Sequence, residues 1–140
     1  MTVPRRHFSA GVTSLLSDVY RENTLYSGSY DENLHSWDIR SMKTPVATAR
    51  MGGGIWRIRQ IPFSASDSSY SGLIATACMH DGFKLLDSAK MKIVSQYSEH
   101  ESLAYGLDLK VAKASNDIMF ASCSFYDHLL KIWNISSDNG

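Results

Sequence analysis

Hydrophobic and aromatic residues in this chain recur mostly at every second position, in short runs separated by Gly, Ser, Asn and Asp. This alternation is typical of β-strands with one buried face, whereas an amphipathic helix would repeat its apolar residues every three or four positions. The pattern therefore predicts an all-β protein. The predicted strands lie near 12–16, 24–29, 33–38, 45–49, 55–60, 72–78, 82–87, 92–97, 104–109, 118–124 and 129–134.

A pair of strands joined by a tight turn recurs three times along the chain, each time with an Asp in or near the turn. The three stretches are 25–38, 74–87 and 119–134. Their matching third-strand positions, Trp37, Leu86 and Trp133, are 49 and 47 residues apart. That spacing is close to the roughly 40–45 residues of a four-stranded WD-propeller blade. The repeat predicts WD40-type blades with approximate limits 7–50, 51–98 and 99–135.

Each hairpin is preceded by a segment suited to the inner strand of its blade, and these segments begin at Gly11, Gly54 and Leu103. Segments 44–49 and 92–97 suit the outer strands of the first two blades, but no such segment follows Asn134. A closed propeller needs about four to eight blades. We therefore expect residues 1–140 to form about three blades of an unclosed ring, as a fragment that lacks N-terminal blades.

Charge and cysteine content narrow the classes of function. The 14 Lys and Arg residues balance the 14 Asp and Glu residues, so no basic field would attract nucleic acid or an acidic membrane surface. No apolar run approaches the roughly 20 residues of a membrane-spanning helix, and no signal peptide is evident. Cys78 and Cys123 match neither a disulfide scaffold nor a zinc motif. We expect a soluble, cytoplasmic protein with no nucleic-acid, membrane or metal partner.

Several Ser, His and Asp residues that could suggest a hydrolase triad have a structural interpretation. In WD repeats such residues commonly form a buried hydrogen-bond network that joins strands, because buried polar groups need partners. No G-x-S-x-G nucleophile elbow is present. We therefore expect a structural role for two groups of residues. These are His7, Ser27 or Ser29, Asp31 and Trp37 in the first repeat, and His100, Asp127 and Trp133 in the third.

The turns between second and third strands should share one rim of the propeller with the loops that precede the inner strands. His80 and His128 lie on this rim and do not match the expected network. Because a free imidazole titrates near pH 6.5, histidine is a common general base, and either residue could act as one, with Asp81 or Asp127 orienting the ring. An exposed loop residue or a partner contact is the alternative for each.

Two further features of the rim have competing interpretations. The glycines at 52–54 could allow a close backbone approach or offer N–H groups to an oxyanion, but a flexible loop is the favoured interpretation. Cys78 and Cys123 lie in or beside predicted strands, where a buried thiol behaves as a small hydrophobic group unless its pKa is lowered. We expect neither cysteine to be a nucleophile.

Six short strings in one order point to a particular family. They are Gly28-Ser-Tyr-Asp-Glu, Gly53-Gly-Ile-Trp-Arg-Ile, Ala77-Cys-Met-His, Gly82-Phe-Lys, Leu103-Ala-Tyr-Gly-Leu-Asp and Cys123-Ser-Phe-Tyr-Asp-His. Together they resemble the C-terminal part of the diphthine methylesterases, also called diphthine methyltransferases, which are WD-repeat proteins of diphthamide biosynthesis. The resemblance extends from about His7 to Asn134.

The resemblance implies a hydrolase that removes the methyl ester from methylated diphthine on translation elongation factor 2, with water as second substrate and no cofactor. The site prediction rests on the rim itself. In the predicted site, His80 or His128 is the general base and Asp81 orients its ring. Trp56, Tyr105 and Tyr126 form walls around the modified side chain. A non-catalytic protein-interaction scaffold is the alternative, since a fold does not determine its function.

Overall fold

The structure of the chain is a computed structural model that describes residues 2–3, 5–62, 72–112 and 117–135. This part contains a short 3₁₀ helix, Arg5–His7, and eleven β-strands. The strands are β1 Val12–Ser17, β2 Thr24–Ser29, β3 Asn33–Asp38, β4 Ala47–Arg50, β5 Arg57–Gln60, β6 Leu73–Ala77, β7 Phe83–Asp87, β8 Lys92–Tyr97, β9 Ala104–Val111, β10 Ile118–Ser124 and β11 Leu130–Ile135. The eleven predicted strands are confirmed, with small differences at their ends.

The strands form three antiparallel sheets that follow the order of the chain. The first sheet is β1-β2-β3-β4, the second is β5-β6-β7-β8, and the third, within the described ranges, is β9-β10-β11. The inner strands β1, β5 and β9 are neighbours in that order. The sheets therefore stand side by side as blades, and the expected unclosed arc of about three blades is confirmed.

The hydrophobic core lies between the sheets. One buried cluster joins the first and second sheets and includes Leu34, Ile58 and Leu86. A second cluster joins the second and third sheets and includes Phe83 and Leu85. Because successive residues of a strand point to opposite faces, Leu85 and Leu86 serve different clusters. The middle sheet is thus covered on both faces.

A buried polar group ties the first sheet to the second at the ends of β1 and β5. The Asp18 carboxylate, whose side chain is fully buried, accepts hydrogen bonds from Tyr26 Oη at 2.9 Å and Gln60 Nε2 at 2.8 Å. It also accepts one from Arg21 Nε at 3.0 Å. A buried carboxylate is costly unless it is paired in this way. These bonds therefore make Asp18 a link between the two blades.

We expect the stability of the protein to depend on acid through Asp18. Burial raises the pKa of Asp18, but hydrogen bonds from Gln60, Tyr20, Tyr26 and Arg21 together lower it below the ordinary value. Its stabilising contribution is therefore complete above about pH 4, near the unfolded pKa, and is lost as pH falls through the lower folded pKa. Urea denaturation at several pH values should show that the free energy of unfolding falls more steeply with decreasing pH in the wild type than in Asp18→Asn.

The Asp18→Asn variant should also be less stable than the wild type at neutral pH. Asp108→Asn is the matched control, because the Asp108 carboxylate is exposed on an inner strand. Its profile should follow the wild type. If the free energy of unfolding fell equally with decreasing pH in the wild type and in Asp18→Asn, the prediction would be contradicted.

Candidate functional site

A row of four aromatic rings, three of them exposed and Tyr105 half-buried, crosses the rim from the second sheet to the third. The Trp56 and Tyr105 rings meet edge to face with centroids 5.0 Å apart. Tyr105 meets Phe125 at 5.6 Å, and Phe125 meets Tyr126 at 5.0 Å. The three residues predicted as walls thus lie in one row. Phe125, which the sequence analysis did not include among the walls, links Tyr105 to Tyr126.

Backbone hydrogen bonds hold the segments that carry this row. Trp56 N donates to Ala77 O at 2.8 Å, just before β5. Tyr126 N donates to Ser102 Oγ at 3.1 Å, which ties the β10–β11 turn to the loop preceding β9. Tyr105 lies on β9, and the segments that carry Trp56 and Tyr126 are fixed by these bonds to the end of β6 and to the loop preceding β9.

A pocket of about 380 Å³ opens beside the aromatic row, and we name it the rim pocket. It is lined by His80, His100, Glu101, Ser102, Leu103 and Tyr126. The structure thus brings His80 together with Tyr126, as the sequence analysis proposed. It adds Glu101, which that analysis missed, although a carboxylate directly after His100 in a rim loop was a usable signal.

Asp81 is held by a lysine that the sequence analysis also missed. Asp81 Oδ2 lies 2.5 Å from Lys84 Nζ, and the same amino group donates to Met51 O at 2.5 Å. Lys84 lies between two hydrophobic residues of β7, and its side chain is buried. A role for Asp81 in orienting His80 stays a prediction.

The glycine loop before β5 is packed against the β6–β7 turn. A Cβ atom on Gly53 would lie 2.0 Å from Cys78 O, and one on Gly52 would lie 2.0 Å from Asp81 Oδ2. No larger residue fits these positions without moving the backbone or the turn. Close approach of the Cys78 carbonyl therefore explains Gly53, and the left-handed φ of 81° explains Gly52, so steric packing rather than the favoured flexible loop accounts for these two glycines.

His128 occupies a position defined by turn geometry. Its φ is 55°, and the equivalent residues of the other two turns, Glu32 and Gly82, have φ of 73° and 74°. Each follows the turn Asp, and a left-handed residue there lets the strand reverse direction. His128 is exposed and lies outside the lining of the rim pocket. Its catalytic role stays a prediction.

The expected structural network is confirmed in the third sheet. Trp133 Nε1 donates to Ser122 Oγ at 3.0 Å, and Ser122 Oγ lies 2.9 Å from His100 Nε2. His100 Nδ1 lies 3.4 Å from Asp127 Oδ2. The pKa of Asp127 is lowered, mainly because the Ser124 hydroxyl donates a hydrogen bond to its carboxylate. The wall that His100 contributes to the rim pocket is therefore structural.

The corresponding network in the first sheet is only partly formed, which corrects the expectation for His7. Trp37 Nε1 donates to Ser27 Oγ at 2.8 Å. His7 Nε2 instead donates to Lys43 O at 2.8 Å, and its ring meets Trp37 edge to face at 5.7 Å. Asp31 accepts a hydrogen bond from Ser9 N at 2.9 Å. Ser9, in the loop before β1, thus takes the place expected for His7 as hydrogen-bond partner of the Asp31 carboxylate.

Cys78 follows β6 directly and is buried. Burial raises the pKa of the Cys78 thiol to about 11, which favours its role as a small hydrophobic group. Within the described ranges, no three His, Cys, Asp or Glu side chains converge as a metal site requires. The part of the chain that the structure covers also has no helix with the length and hydropathy to cross a membrane.

Comparisons with known proteins provide independent information on the family. The diphthine methyltransferase homolog of Dictyostelium discoideum is 40% identical over 134 residues, which are 88% of this chain and 35% of that protein. Human diphthine methyltransferase is 39% identical over 111 residues, 74% of this chain and 23% of that protein. The Saccharomyces cerevisiae protein of that name is 30% identical over 152 residues, 91% of this chain and 38% of the relative. No protein-family model matches the chain.

Among solved structures, the WD40 β-propeller domain of Doa1 matches with a TM-score of 0.62, at 17% identity over 93% of this chain and 42% of that chain. At that identity the likeness concerns the fold alone, and it confirms the WD40-type architecture. This chain spans less than two fifths of the length of each of the three relatives. Over that span, its sequence is similar to the diphthine methyltransferases, and its fold is that of a WD40 propeller.

Proposed function

We propose that the rim of this chain takes part in diphthamide biosynthesis, where it removes the methyl ester from methylated diphthine on elongation factor 2 in the cytoplasm. The names of the relatives concern diphthine, which supports the substrate class. The observation that carries the proposal is the rim pocket, in which exposed His80 lies beside the aromatic row that ends at Tyr126. A general base next to an apolar wall suits a modified side chain with a reactive ester.

The reaction that we propose is hydrolysis at the acyl carbon. His80 accepts a proton from a water molecule as the water oxygen attacks the ester carbonyl carbon. The bond between the acyl carbon and the methoxy oxygen then breaks, and the leaving methoxide takes the proton to become methanol. The products are methanol and the carboxylic acid of diphthine, which ionises to the carboxylate and releases a proton to solvent, and no cofactor is consumed.

Ser102 of the rim pocket and the neighbouring aromatic row also have roles in this proposal. The Ser102 hydroxyl oxygen accepts the Tyr126 N–H, so its own proton is free to donate to the carbonyl oxygen of the ester. Trp56, Tyr105 and Tyr126 pack against the rest of the modified side chain. The pocket, at about 380 Å³, lies within the usual size range of small-molecule sites.

The name of the relatives describes the transfer of a methyl group from a donor. In the hydrolysis that we propose, the methoxy group instead leaves the ester and takes up a proton as methanol. The two reactions differ in their products and in their need for a methyl donor. The chain should be incubated, without any donor, with elongation factor 2 that carries methylated diphthine. We expect release of methanol and a loss of one CH₂ from the mass of the factor.

Human diphthine methyltransferase should be assayed in parallel, because this chain spans only 23% of its length. Methanol release by the human protein alone would show that the shorter span is insufficient for the reaction. Methyl transfer that requires a donor in both proteins would contradict hydrolysis. Binding of elongation factor 2 without either reaction would favour the scaffold alternative.

A further inference from the structure

The aromatic row on the rim presents ring faces to solvent. Neighbouring rings in it meet almost at right angles, with interplanar angles of 80° for Trp56 and Tyr105, 70° for Tyr105 and Phe125, and 79° for Phe125 and Tyr126. In such contacts the positive edge of one ring meets the negative face of the next, and the ring that supplies the edge keeps its own faces free. Phe125 and Tyr126 are 63% and 70% exposed, so much of each ring is accessible to a ligand.

The aromatic rings packed between the second and third sheets have the opposite arrangement. The Trp133 ring lies parallel to that of Tyr97, with centroids 4.4 Å apart at 9°, and to that of Phe120, with centroids 4.3 Å apart at 10°. Parallel stacking of this kind covers ring faces and serves packing within the protein. The perpendicular rings of the rim therefore differ from those of the core in offering negative faces to a ligand.

Glu101 places a negative charge beside the end of the row. Its side chain lines the rim pocket together with Tyr126. The residue is exposed, and its carboxylate forms no ion pair or hydrogen bond with the described part of the chain. Among the described residues that line the pocket, none is lysine or arginine. The carboxylate and the ring faces therefore both favour a cationic ligand.

Backbone contacts hold the walls of this pocket in place. Ala104 N donates to Met79 O at 2.8 Å, and Tyr126 N donates to Ser102 Oγ at 3.1 Å. The loop 100–103 is thereby fixed between the β6–β7 turn of the second sheet and the β10–β11 turn of the third. The pocket consequently lies at the junction of two blades, both of which the structure describes.

The kind of cation follows from the groups that are available to it. A primary ammonium is strongly hydrated and has three N–H groups that need acceptors. A quaternary ammonium has no N–H group, and aromatic faces within about 6 Å recognise it through the ring quadrupole. The aromatic row supplies such faces, and one unpaired carboxylate supplies the balancing charge. This combination suits a quaternary ammonium better than a primary one.

We propose that Tyr126 and Glu101, with Phe125 beside them, bind a quaternary ammonium group of the substrate side chain. This proposal rests on the proposed function for its natural ligand, since His80 lines the same pocket and acts there on the ester. It deepens that function by naming the substrate class, which is a methyl ester that carries a quaternary ammonium group close to the acyl carbon.

The test uses three small probes without an ester, so that it measures cation binding apart from hydrolysis. Choline carries a trimethylammonium group, neohexyl alcohol is the neutral isostere in which carbon replaces the nitrogen, and ethanolamine carries a primary ammonium. NMR titration of the isotope-labelled chain, followed at the backbone amides of Phe125 and Tyr126, measures each dissociation constant. We expect choline to bind at least about 5-fold more tightly than either of the other probes.

Variants of the two binding residues identify the site. Tyr126→Leu and Glu101→Gln should each weaken choline binding by about 3- to 10-fold. Tyr126→Phe should keep it, because the ring face makes the contact and the hydroxyl does not. Tyr30→Leu is the matched control, since Tyr30 is 52% exposed in the β2–β3 turn of the first sheet. It should bind choline like the wild type. All three side chains are exposed, so circular dichroism should show an unchanged β-sheet spectrum.

Three results would overturn the proposal. The first is that choline does not bind, or that neohexyl alcohol or ethanolamine binds as tightly. The second is that Tyr126→Leu and Glu101→Gln bind choline like the wild type. The third is that Tyr30→Leu weakens binding as much as Tyr126→Leu does.

The methanol assay with methylated elongation factor 2 separates this proposal from the proposed function. Selective choline binding without methanol release would support the cation site and contradict the hydrolysis. Methanol release without selective choline binding would support the hydrolysis and overturn the cation site.

Discussion

Phe83→Ala is expected to lower the free energy of unfolding by about 3–5 kcal/mol, the usual cost of truncating a buried aromatic residue. Phe83 is fully buried between the second and third sheets. Its ring lies 5.5 Å from that of His100 and 6.4 Å from that of Trp133. Trp133 in turn stacks on Tyr97 of the second sheet at 4.4 Å. The truncation would therefore leave a cavity at the centre of a contact between blades.

Urea denaturation followed by tryptophan fluorescence measures this loss. Two controls separate burial from a general effect of removing an aromatic ring. Phe83→Leu keeps most of the volume and should cost less than about 1.5 kcal/mol. Phe125→Ala removes an exposed ring and should change stability by no more than about 0.5 kcal/mol. Equal losses for Phe83→Ala and Phe125→Ala would contradict the assignment of the core.

His80→Gln is expected to lower the rate of methyl-ester hydrolysis by about 10²–10⁴-fold, the usual contribution of a general base. His80 is exposed on the β6–β7 turn, so the substitution should leave the urea midpoint unchanged. Methanol release from methylated elongation factor 2 measures the rate, in this chain or in the longer protein that shows activity. A stability change in the variant would indicate a structural role instead.

His128→Gly is the matched control for His80→Gln, because both residues lie in rim turns. Gly82 already holds the equivalent position of the middle blade with φ of 74°. Glycine adopts this conformation without steric cost, so the variant should fold at least as well as the wild type. We expect it to retain activity. If His128→Gly loses activity and His80→Gln does not, His128 is the base, and if both keep full activity, the site is wrong.

The prediction of the strands was accurate because antiparallel blades are built from neighbours in the chain. Leu25 pairs with Trp37, and Ile74 pairs with Leu86, across turns of a few residues. The alternation of hydrophobic and polar residues within one hairpin therefore predicts both where its strands begin and end and which face is buried. The network around Trp133 was predictable for a different reason, because His100, Asp127 and Trp133 occupy positions at which WD repeats commonly carry it, although His100 meets Ser122 across 22 positions.

The site was less predictable because its contacts join residues that are far apart in sequence. Lys84 meets Met51 O across 33 positions, and this contact turns the Asp81 carboxylate towards the lysine. Phe125 joins the aromatic row because the β10–β11 turn lies beside the start of β9 in the same sheet, where Phe125 N donates to Leu103 O at 3.3 Å and its ring meets that of Tyr105. Neither contact has a signal in the spacing of the residues.

The amino-acid sequence alone determined the all-β class, the eleven strands, the threefold repeat and the resemblance to the diphthine family. These depend on local alternation and on strings of consecutive residues. Only the tertiary structure decided which rim residues share a pocket, which histidine joins the buried network, and why the glycines before β5 are required. Such contacts arise where loops that are far apart in sequence meet, within one blade or between two, and loop packing depends on the shape of both partners rather than on a repeating pattern.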